Sequence, residues 1–431
     1  MYPNLYYIFK DWFGVDWSVL KIFNTFGFFV AIAFLISAWV LTLELKRKQK
    51  QGLFTFTEKK IMIGEPASAV DLFINFLLGF VFGYKIIGVL LTKGALDHPQ
   101  DYLLSSRGNL VAGVALGIVA LAFKYYDANK TKLAKPEERT IRLWPHDRVS
   151  DIVVYAFLFG FLGAKIFHNL ENWNEFVKDP IGNLIAFSGL TFYGGLICAA
   201  IAIRQYAKKH NITFIHLCDA MAPTLMLAYA LGRIGCQVSG DGDWGIINSA
   251  FITDATGHII TANAQQFNDA LLQHHQYFVK QGIQNLDEIH RIAVQPVSWL
   301  PNWMFGYNYP HNVVNEGIKL ANATGEYSNA LPLAVFPTPF YETIISGIFF
   351  FILFLLRNKI KTAGVMFGIY LMMNGFERFW IEKIRVNTTY DNLPFKPTQA
   401  EIISTLLFIG GAFLIGYSLK KKQPQHNVVA D

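Results

Sequence analysis

The residues best suited to chemistry lie in one glycine-rich stretch, Leu231–Gly245, which follows a long uncharged apolar run. It holds five glycines together with Arg233, Cys236, Asp241 and Asp243. Glycine lets a backbone turn tightly and approach a ligand closely. An arginine can clamp an anion through two parallel hydrogen bonds, and a nearby carboxylate can serve as a general base. The stretch therefore predicts a site that binds an anion and moves a proton.

Three further clusters combine aromatic, glycine and ionisable residues beside apolar runs, and the last of them contains Arg378, Glu382 and Arg385. Spacings of four and three residues place these side chains on one face of a helix. The guanidinium groups of Arg233 and Arg378 could together hold a lipid phosphate, and Lys165 could add a third positive charge. The clusters are Phe192-Tyr193-Gly194-Gly195-Leu196, Phe336-Pro337-Thr338-Pro339-Phe340-Tyr341-Glu342 and Gly375–Arg385.

Each of these side chains also has a purely structural interpretation. Arginines and lysines at helix ends can anchor the helix by reaching the lipid headgroups. Tyr193 could exchange a proton near its glycine turn, but tyrosine is also common in the aromatic belts of membrane proteins. The thiol of Cys236 has no adjacent base, which favours a small structural role for it. The sequence alone leaves these alternatives open.

The composition predicts a membrane protein. The chain has 431 residues, of which 53% are hydrophobic and 16% are charged, whereas soluble domains have about 25% charged residues. The three cysteines form no pairwise framework, and no basic patch alternates with exposed aromatics, so nucleic-acid binding is not expected. No spacing of His, Cys and Asp suggests a metal, and no phosphate-binding Walker loop is present, so no cofactor is expected.

Nine apolar segments are candidates for membrane-spanning helices, which need about 20 mostly apolar residues. They predict an all-α, polytopic helical bundle. The candidate spans are Ile22–Leu43, Ala69–Leu91, Asn109–Tyr126, Ile152–His168, Leu184–Arg204, Ile215–Cys236, Tyr341–Leu356, Ala363–Ile381 and Ile402–Leu419.

Basic residues follow every second span, as in Lys46-Arg47-Lys48-Gln49-Lys50 after the first span and Lys420-Lys421-Lys422 after the ninth. Loops that are rich in lysine and arginine remain in the cytoplasm. This pattern predicts an N-terminus outside and a C-terminus inside. Leu231–Gly245 and the other clusters then lie at the outer face of the membrane.

An internal repeat of a helical hairpin is visible. Matching sets at one constant offset are Asp71-Leu72-Phe73-Ile74 with Gly83 and Lys85, and Asp151-Ile152-Val153-Val154 with Gly163 and Lys165; Gly108-Asn109-Leu110 matches Gly182-Asn183-Leu184 at another. A duplication explains these matches, with chance similarity between Gly/Phe-rich helices as the alternative. Since only the second copy leads into Tyr193-Gly194-Gly195, the first is expected to be scaffold.

We expect six regions along the chain. They are an N-terminal outer segment with the first span and a basic loop (1–68), the extra hairpin (69–126), the first part of a catalytic core (127–245), an extracytoplasmic insert or lid (246–335), the second part of the core (336–419) and a basic cytoplasmic tail (420–431).

The ordered clusters resemble those of the prolipoprotein diacylglyceryl transferase family, bacterial integral-membrane enzymes of lipoprotein maturation. The resemblance covers the first span and roughly Asp151 to Leu419. It rests on Thr25-Phe26-Gly27, Gly163-Ala164-Lys165, Phe192–Leu196, Asp219 with Ala222-Pro223, Gly232-Arg233-Ile234-Gly235 with Gly240-Asp241 and Trp244-Gly245, Pro337–Glu342, and Arg378 with Glu382 and Arg385.

Several positions depart from the family pattern. Tyr193 replaces a histidine, Cys236 replaces an asparagine, Lys165 replaces an arginine, and Phe26 lacks the family's hydroxyl. The family's single acid is represented by both Asp241 and Asp243, because the stretch carries one extra residue. The first hairpin and the long outer segment exceed the family's usual size.

The resemblance implies transfer of a diacylglyceryl group from phosphatidylglycerol to the lipobox cysteine of a preprolipoprotein, in the bacterial cytoplasmic (inner) membrane with the site towards the outer face. Phosphatidylglycerol, the lipobox segment and membrane lipids are then the partners. The expected catalytic residues are Arg233, Arg378, Asp241, Asp243, Tyr193 and Glu382. The expected substrate-binding residues are Gly194, Gly195, Lys165, Cys236, Gly245, Tyr341, Glu342, Arg385 and Phe26.

Two other classes of function also fit parts of the sequence. A transporter or lipid flippase would explain a helical-hairpin repeat and ionisable groups in spans. A non-catalytic scaffold could use the outer segment to bind a partner. Against the transporter, the charged residues cluster on one side of the membrane rather than at its middle.

Overall fold

The computed structural model describes residues 1–185, 189, 191–254, 257–321, 323, 325–387, 390 and 395–421, and the described chain is mostly helical. The tail from Lys422 onward lies outside these residues. The helices are α1 (Leu5–Phe13), α2 (Thr25–Lys50), α3 (Ala69–Phe82), α4 (Gly88–Leu91), α5 (Pro99–Leu104), α6 (Leu110–Lys130), α7 (Val149–Glu171), α8 (Trp173–Lys178), α9 (Pro180–Ile185), α10 (Phe192–Lys209), α11 (Phe214–Ser239), α12 (Ala264–Gln273), α13 (His275–Lys280), α14 (Thr338–Leu356), α15 (Val365–Glu382) and α16 (Gln399–Lys420).

The prediction of a polytopic helical bundle is confirmed. Within the described residues, seven helical segments are long and apolar enough to cross a membrane: α2, α3 joined to α4 through a π-helical turn, α6, α7 with the turn before it, α11, α14 and α16. The helices α10 and α15, at the fifth and eighth predicted spans, have 18 residues each and carry several charges. The count of nine spans and their orientation stay predictions.

The predicted start of the fifth span, Leu184, is wrong. The chain around it forms the short helix α9, which begins at Pro180, and α10 starts only at Phe192. Between the two helices, Gly189 has a φ of 74°, a left-handed conformation that interrupts a helix. The aromatic-glycine cluster therefore forms the first turn of α10.

Small residues bring the central helices into close contact. A Cβ atom on Gly411 of α16 would lie 2.6 Å from the carbonyl oxygen of Gly368 on α15, and one on Gly375 would lie 2.5 Å from that of Ser404. Such contacts are typical of packed membrane helices, where lipid supplies no hydrophobic force between helices. Helix α11 packs against α2 and α14, and α15 packs against α16.

Buried charges fix the predicted inner ends of these helices. The carboxylate of Asp219 on α11 accepts hydrogen bonds from the backbone N–H groups of Gly364 (2.8 Å) and Phe367 (3.0 Å), which begin α15. It thereby satisfies donors that a helix N-terminus leaves free. On α2, Glu44 pairs with Arg357, which follows α14. These contacts set the relative heights of α2, α11, α14 and α15.

Two helical hairpins flank this core. One consists of α3–α4 and α6, and the other of α7 and α10. The first hairpin is flanked in the chain by two strands that pair with each other in antiparallel fashion, β1 (Thr57–Ile63) before α3 and β2 (Glu137–Leu143) after α6. In this pair, Thr57 faces Leu143 and Ile63 faces Glu137. The chain therefore enters the first hairpin from β1 and continues from it into β2, and these two strands lie side by side.

The segment 246–335 folds over the predicted outer end of α11. Its strands are β3 (Ile247–Asn248), β4 (Phe251–Thr253), β5 (Ile259–Thr261), β6 (Arg291–Ile292), β7 (Ile318–Lys319) and β8 (Asn329–Ala330). β3 pairs with β6 in parallel, while β4 pairs with β5 and β7 with β8 in antiparallel fashion. A buried apolar cluster that includes Phe267, Phe278 and Leu333 fills its interior. The division of the chain into six regions stays a prediction.

Candidate active site

The end of α11 turns its own acidic loop back towards Arg233. Gly240 ends the helix with a φ of 65°, and Gly242 follows with a φ of 99°. Both angles lie in the left-handed region that glycine adopts without strain. The turn brings the carboxylate of Asp243 against the guanidinium group of Arg233, with which it forms an ion pair. The contribution of these two glycines to the site is thus to allow the backbone turn.

Glu342, near the N-terminal end of α14, lies at the centre of the site. Its side chain is 0% exposed, and its carboxylate lies 2.9 Å from Nε of Arg233, 3.3 Å from Nη1 of Arg378 and 3.8 Å from Nη1 of Arg385. The hydroxyl of Tyr229 donates a further hydrogen bond to it at 2.9 Å. A carboxylate buried this deeply is stable only with such partners.

Two more ion pairs complete the cluster. Nη2 of Arg378 lies 3.1 Å from a carboxylate oxygen of Glu382, and Nη2 of Arg385 lies 2.7 Å from Oδ1 of Asp243. We call the three arginines with Asp243, Glu342 and Glu382 the arginine network. Three cations and three carboxylates balance in it. An incoming anion would therefore have to replace carboxylate oxygens as partners of the arginines.

Backbone contacts hold the network together from outside. Gly245 N–H donates to the carbonyl of Phe336 (2.8 Å), and Ile246 N–H donates to that of Ile384 (2.8 Å). Gly245 also forms a β-bridge with Arg385, and a Cβ atom on it would lie 2.4 Å from the oxygen of Ile384. Only glycine fits where these three segments cross.

The second hairpin reaches the network through Tyr193. Its phenol group lies close to the guanidinium group of Arg378, and its surroundings include the charges of Glu382 and Arg385. The next residue, Gly194, packs against α7, where a Cβ atom would lie 2.3 Å from Cβ of Phe167. A close helix crossing therefore positions the tyrosine.

Other predicted substrate-binding residues lie beside the network or apart from it. The backbone of Phe26 on α2 packs against Gly235, and Gly195 packs on the carbonyl of Gly160. Lys165 is buried on α7. The hydroxyl of Tyr341 donates to the carbonyl of Met304 (2.5 Å), which ties α14 to the outer segment. The roles assigned to these residues remain predictions.

Sequence reasoning missed Tyr229. Besides its bond to Glu342, its ring lies under the guanidinium group of Arg233, whose carbon is 5.3 Å from the ring centroid. Tyr229 precedes Arg233 by four residues, so the two share a helix face. This spacing could have indicated that Tyr229 belongs to the site. A tyrosine in an apolar run is, however, also typical of an ordinary buried core residue.

The two aspartates of the loop differ in their electrostatics. Burial disfavours the charge on both. For Asp243, the guanidinium groups of Arg233 and Arg385 outweigh burial and lower its pKa to about 2. For Asp241, burial and the charge of Asp243 raise the pKa above 3.8. Asp243 is thus a fixed anion and a weak base, while Asp241 is the better proton acceptor.

One group of potential metal ligands lies in the same loop. Among the described residues, ligand atoms of Cys236, Asp241 and Asp243 lie within 4.8 Å of one another. Asp243 is already bound by two arginines, and Nη1 of Arg233 also lies 3.6 Å from Sγ of Cys236. These positive charges oppose a cation. The arrangement suits an anion better.

Comparisons with known proteins identify the family of the chain. The chain matches the model of the prolipoprotein diacylglyceryl transferase family over residues 113–417. Among its relatives is the phosphatidylglycerol–prolipoprotein diacylglyceryl transferase of Leptospira interrogans, 24% identical over 341 residues that cover 68% of this chain and 86% of the relative.

Enzymes of the same name from two other bacteria also match. That of Clostridium novyi is 24% identical over 62% of this chain and 79% of its own, and that of Staphylococcus aureus is 25% identical over 64% and 76%. Since the family model spans well over half of the residues, the chain belongs to the prolipoprotein diacylglyceryl transferase family.

Proposed function

We propose that this protein transfers the diacylglyceryl group of phosphatidylglycerol to the lipobox cysteine thiol of preprolipoproteins, forming a thioether and releasing glycerol phosphate. The observation that carries the proposal is the network of Arg233, Arg378 and Arg385 around a fully buried Glu342. The names of its relatives support the same activity. The family and the apolar helices indicate a multi-pass protein of the bacterial inner membrane.

The arginines would bind and activate the leaving phosphate. In the reaction, sulfur attacks the glycerol carbon that carries the phosphate, an S–C bond forms and the C–O bond to phosphate breaks. Glycerol phosphate leaves with the bonding electrons and one additional negative charge. Guanidinium groups already held in place stabilise such developing charge without reorganisation. The phosphate would take over bonds that Arg233 and Arg378 now make to carboxylates.

The attacking thiol must lose its proton to a base. Asp241, Asp243 and Tyr193 all lie at or beside the network. We propose Asp241 in this role, because its raised pKa makes it a stronger base than Asp243, whose pKa is about 2. Asp243 then orients Arg233 and Arg385, and Tyr193 orients Arg378.

An apolar cavity gives a path for the lipid. A cavity of about 190 Å³ lies between α2, α7 and α11 and is lined by apolar side chains such as Phe34, Ala156 and Leu225. It extends to Gly232, next to Arg233. An acyl chain in this cavity would place its headgroup at the network. The positive-inside pattern predicts that this end of α11 lies at the outer face.

A reconstituted reaction tests the proposal. Purified protein in liposomes that contain phosphatidylglycerol is mixed with a lipobox peptide, and the peptide's mass gain is measured. We expect lipidation by the wild type and its loss, by about a hundredfold or more, in R233A and R378A. The exposed Arg107 of the first hairpin provides the control R107A, which should retain full activity.

The outcomes separate the competing functions. Full activity in both R233A and R378A would show that these arginines do not belong to the active site. No lipidation by the intact protein would instead favour a transporter or a scaffold, and liposome assays of lipid movement would then discriminate between these. Orientation has a separate test: a reporter inserted within Gln265–Gln284 should be accessible from outside the cell, and one fused after Lys422 should not.

A further inference from the structure

A second cavity, of about 300 Å³, lies between the outer segment and the acidic loop. Its volume is at the lower end of the range for ligand pockets, about 300–1,000 Å³. Apolar side chains including Trp244, Ile247, Phe278 and Leu333 line it. The ring of Trp244 is held in place by Tyr309, whose centroid lies 5.1 Å away. The cavity therefore has a preformed apolar wall.

Polar groups line other parts of the same cavity. They include Gln281, Glu288 and His290, all of which are exposed, and Glu316. Nε2 of Gln281 donates to Oε1 of Glu316 at 2.8 Å and contacts the hydroxyl of Tyr277 at 2.6 Å. Apolar contacts on one side and hydrogen-bonding groups on the other suit an extended peptide, whose side chains and backbone make both kinds of contact.

The cavity is continuous with the arginine network. Arg385, which pairs with Asp243, and Gly242, which neighbours both loop aspartates, line the cavity as well. A substrate bound at the network can therefore extend into it without a break. The apolar cavity between α2, α7 and α11 meets the other side of Arg233, at Gly232. The two cavities approach the network from different sides.

We infer that this second cavity binds the residues that follow the acceptor cysteine in the protein substrate. The inference rests on the proposed function. When the acceptor sulfur lies at the network, the chain before it runs back towards the membrane, and the chain after it must leave on the aqueous side. The cavity is the continuation available there, and its polar and apolar lining fits a short extended polypeptide with one or more apolar side chains.

Two acceptor peptides test this inference. One is amidated directly at the acceptor cysteine, and the other continues for four more residues, at least one of them apolar. We expect the longer peptide to have a KM about tenfold lower, because its additional residues make contacts with the cavity that strengthen binding. In H290W, a bulkier side chain at the cavity rim should remove this advantage and leave the short peptide unaffected. H275W, at an exposed position of α13 outside the cavity, should change neither value.

A crosslinking experiment gives an independent readout. A photoreactive residue placed two positions after the acceptor cysteine should label the stretch Tyr277–Gln281, and one placed before the cysteine should not. Equal KM values for the two peptides, or labelling elsewhere from the later position, would overturn the inference while leaving the transferase function intact. Absence of lipidation of either peptide would instead reject the proposed function.

Discussion

The two helical hairpins share a local pattern but make different tertiary contacts. In each, a glycine of the first helix crosses the second helix closely: a Cβ atom on Gly83 would lie 2.3 Å from the oxygen of Ala112, and one on Gly163 would lie 2.5 Å from that of Gly194. Each also carries a lysine two residues later, Lys85 or Lys165. The close contact between the two helices is therefore a common feature of how both hairpins pack.

What differs is the surface against which each hairpin packs. The second hairpin shares a buried core with α2 and α11, in which Ile152 and Ile203 meet Leu45 and Leu217. The first hairpin contacts the remainder through its ends, by way of β1 and β2 and of the ion pair between Lys21 and Asp97 (3.1 Å). Tyr193 consequently reaches the arginine network. A repeated motif thus acquires a role at the site through its neighbours.

The largest difference between the hairpins is expected from a matched pair of glycine substitutions. Gly194→Val should reduce lipidation by about a hundredfold or more, because the new side chain collides with Phe167 and displaces Tyr193. Gly113→Val meets the ring of Phe80 at 3.0 Å in the first hairpin and should leave the rate within about threefold. Rates are measured in phosphatidylglycerol liposomes. Similar losses in both variants would mean that hairpin integrity alone matters.

A pH profile asks whether the second hairpin supplies the base or only positions groups. If Asp241 is the base, kcat/KM should fall tenfold per pH unit below a midpoint above 3.8, because its pKa is raised by burial and by Asp243. Asp241→Asn should flatten this limb and slow the reaction about a hundredfold at neutral pH. An unchanged profile in Asp241→Asn would point to Tyr193 instead.

The ion pairs of Asp243 should persist over the pH range in which Asp241 becomes protonated. Its pKa of about 2 in the folded protein lies below its ordinary 3.8. The pairs therefore stabilise the fold fully above about pH 4, and that stability is lost only as the pH falls through about 2. A loss of activity without unfolding at a pH above this range would accordingly be assigned to Asp241, whose pKa is raised.

A smaller difference between the two hairpins is expected when one tyrosine hydroxyl is removed from each. Tyr193→Phe should lower kcat about tenfold, since Arg378 loses a neutral partner that orients it while its ion pairs remain. The matched control is Tyr84→Phe in the first hairpin, whose hydroxyl bonds the carbonyl of Ser106 (2.8 Å), and it should have no effect on turnover. A rise in KM alone in Tyr193→Phe would assign the hydroxyl to substrate binding.

The smallest effect is expected from excising the first hairpin altogether. Because β1 and β2 are antiparallel and Ile63 faces Glu137, an Asn-Gly turn can replace Gly64–Pro136 and close a β-hairpin. The shortened protein should insert, fold and retain at least about half of the activity per molecule, since Tyr193 and the network are untouched. A loss beyond tenfold in folded protein would show that the first hairpin is more than scaffold.

The sequence by itself determined the class of fold and most of the helices, and it predicted the arginines and carboxylates that the structure brings together around Glu342. Apolar length and charge placement are local properties, so they identified helices such as α11 and α14 to within a few residues. The spacing of Arg378 and Glu382 follows from helix geometry. The expectation that Arg385 lies on the same helix face is wrong, because α15 ends at Glu382 and Arg385 forms a β-bridge with Gly245 beyond the helix. The start of α10 was missed because a turn at Gly189 interrupts an apolar run.

Only the tertiary structure decided how these residues interact. Asp219 caps α15 across the bundle, 145 residues from Gly364, and so sets the height at which Arg378 meets Arg233. Glu342 became the centre of the network because α14 places it between guanidinium groups from two other segments. Such pairings depend on the helix crossings, which arise from packing of small residues between distant segments and leave no periodic signal in the chain.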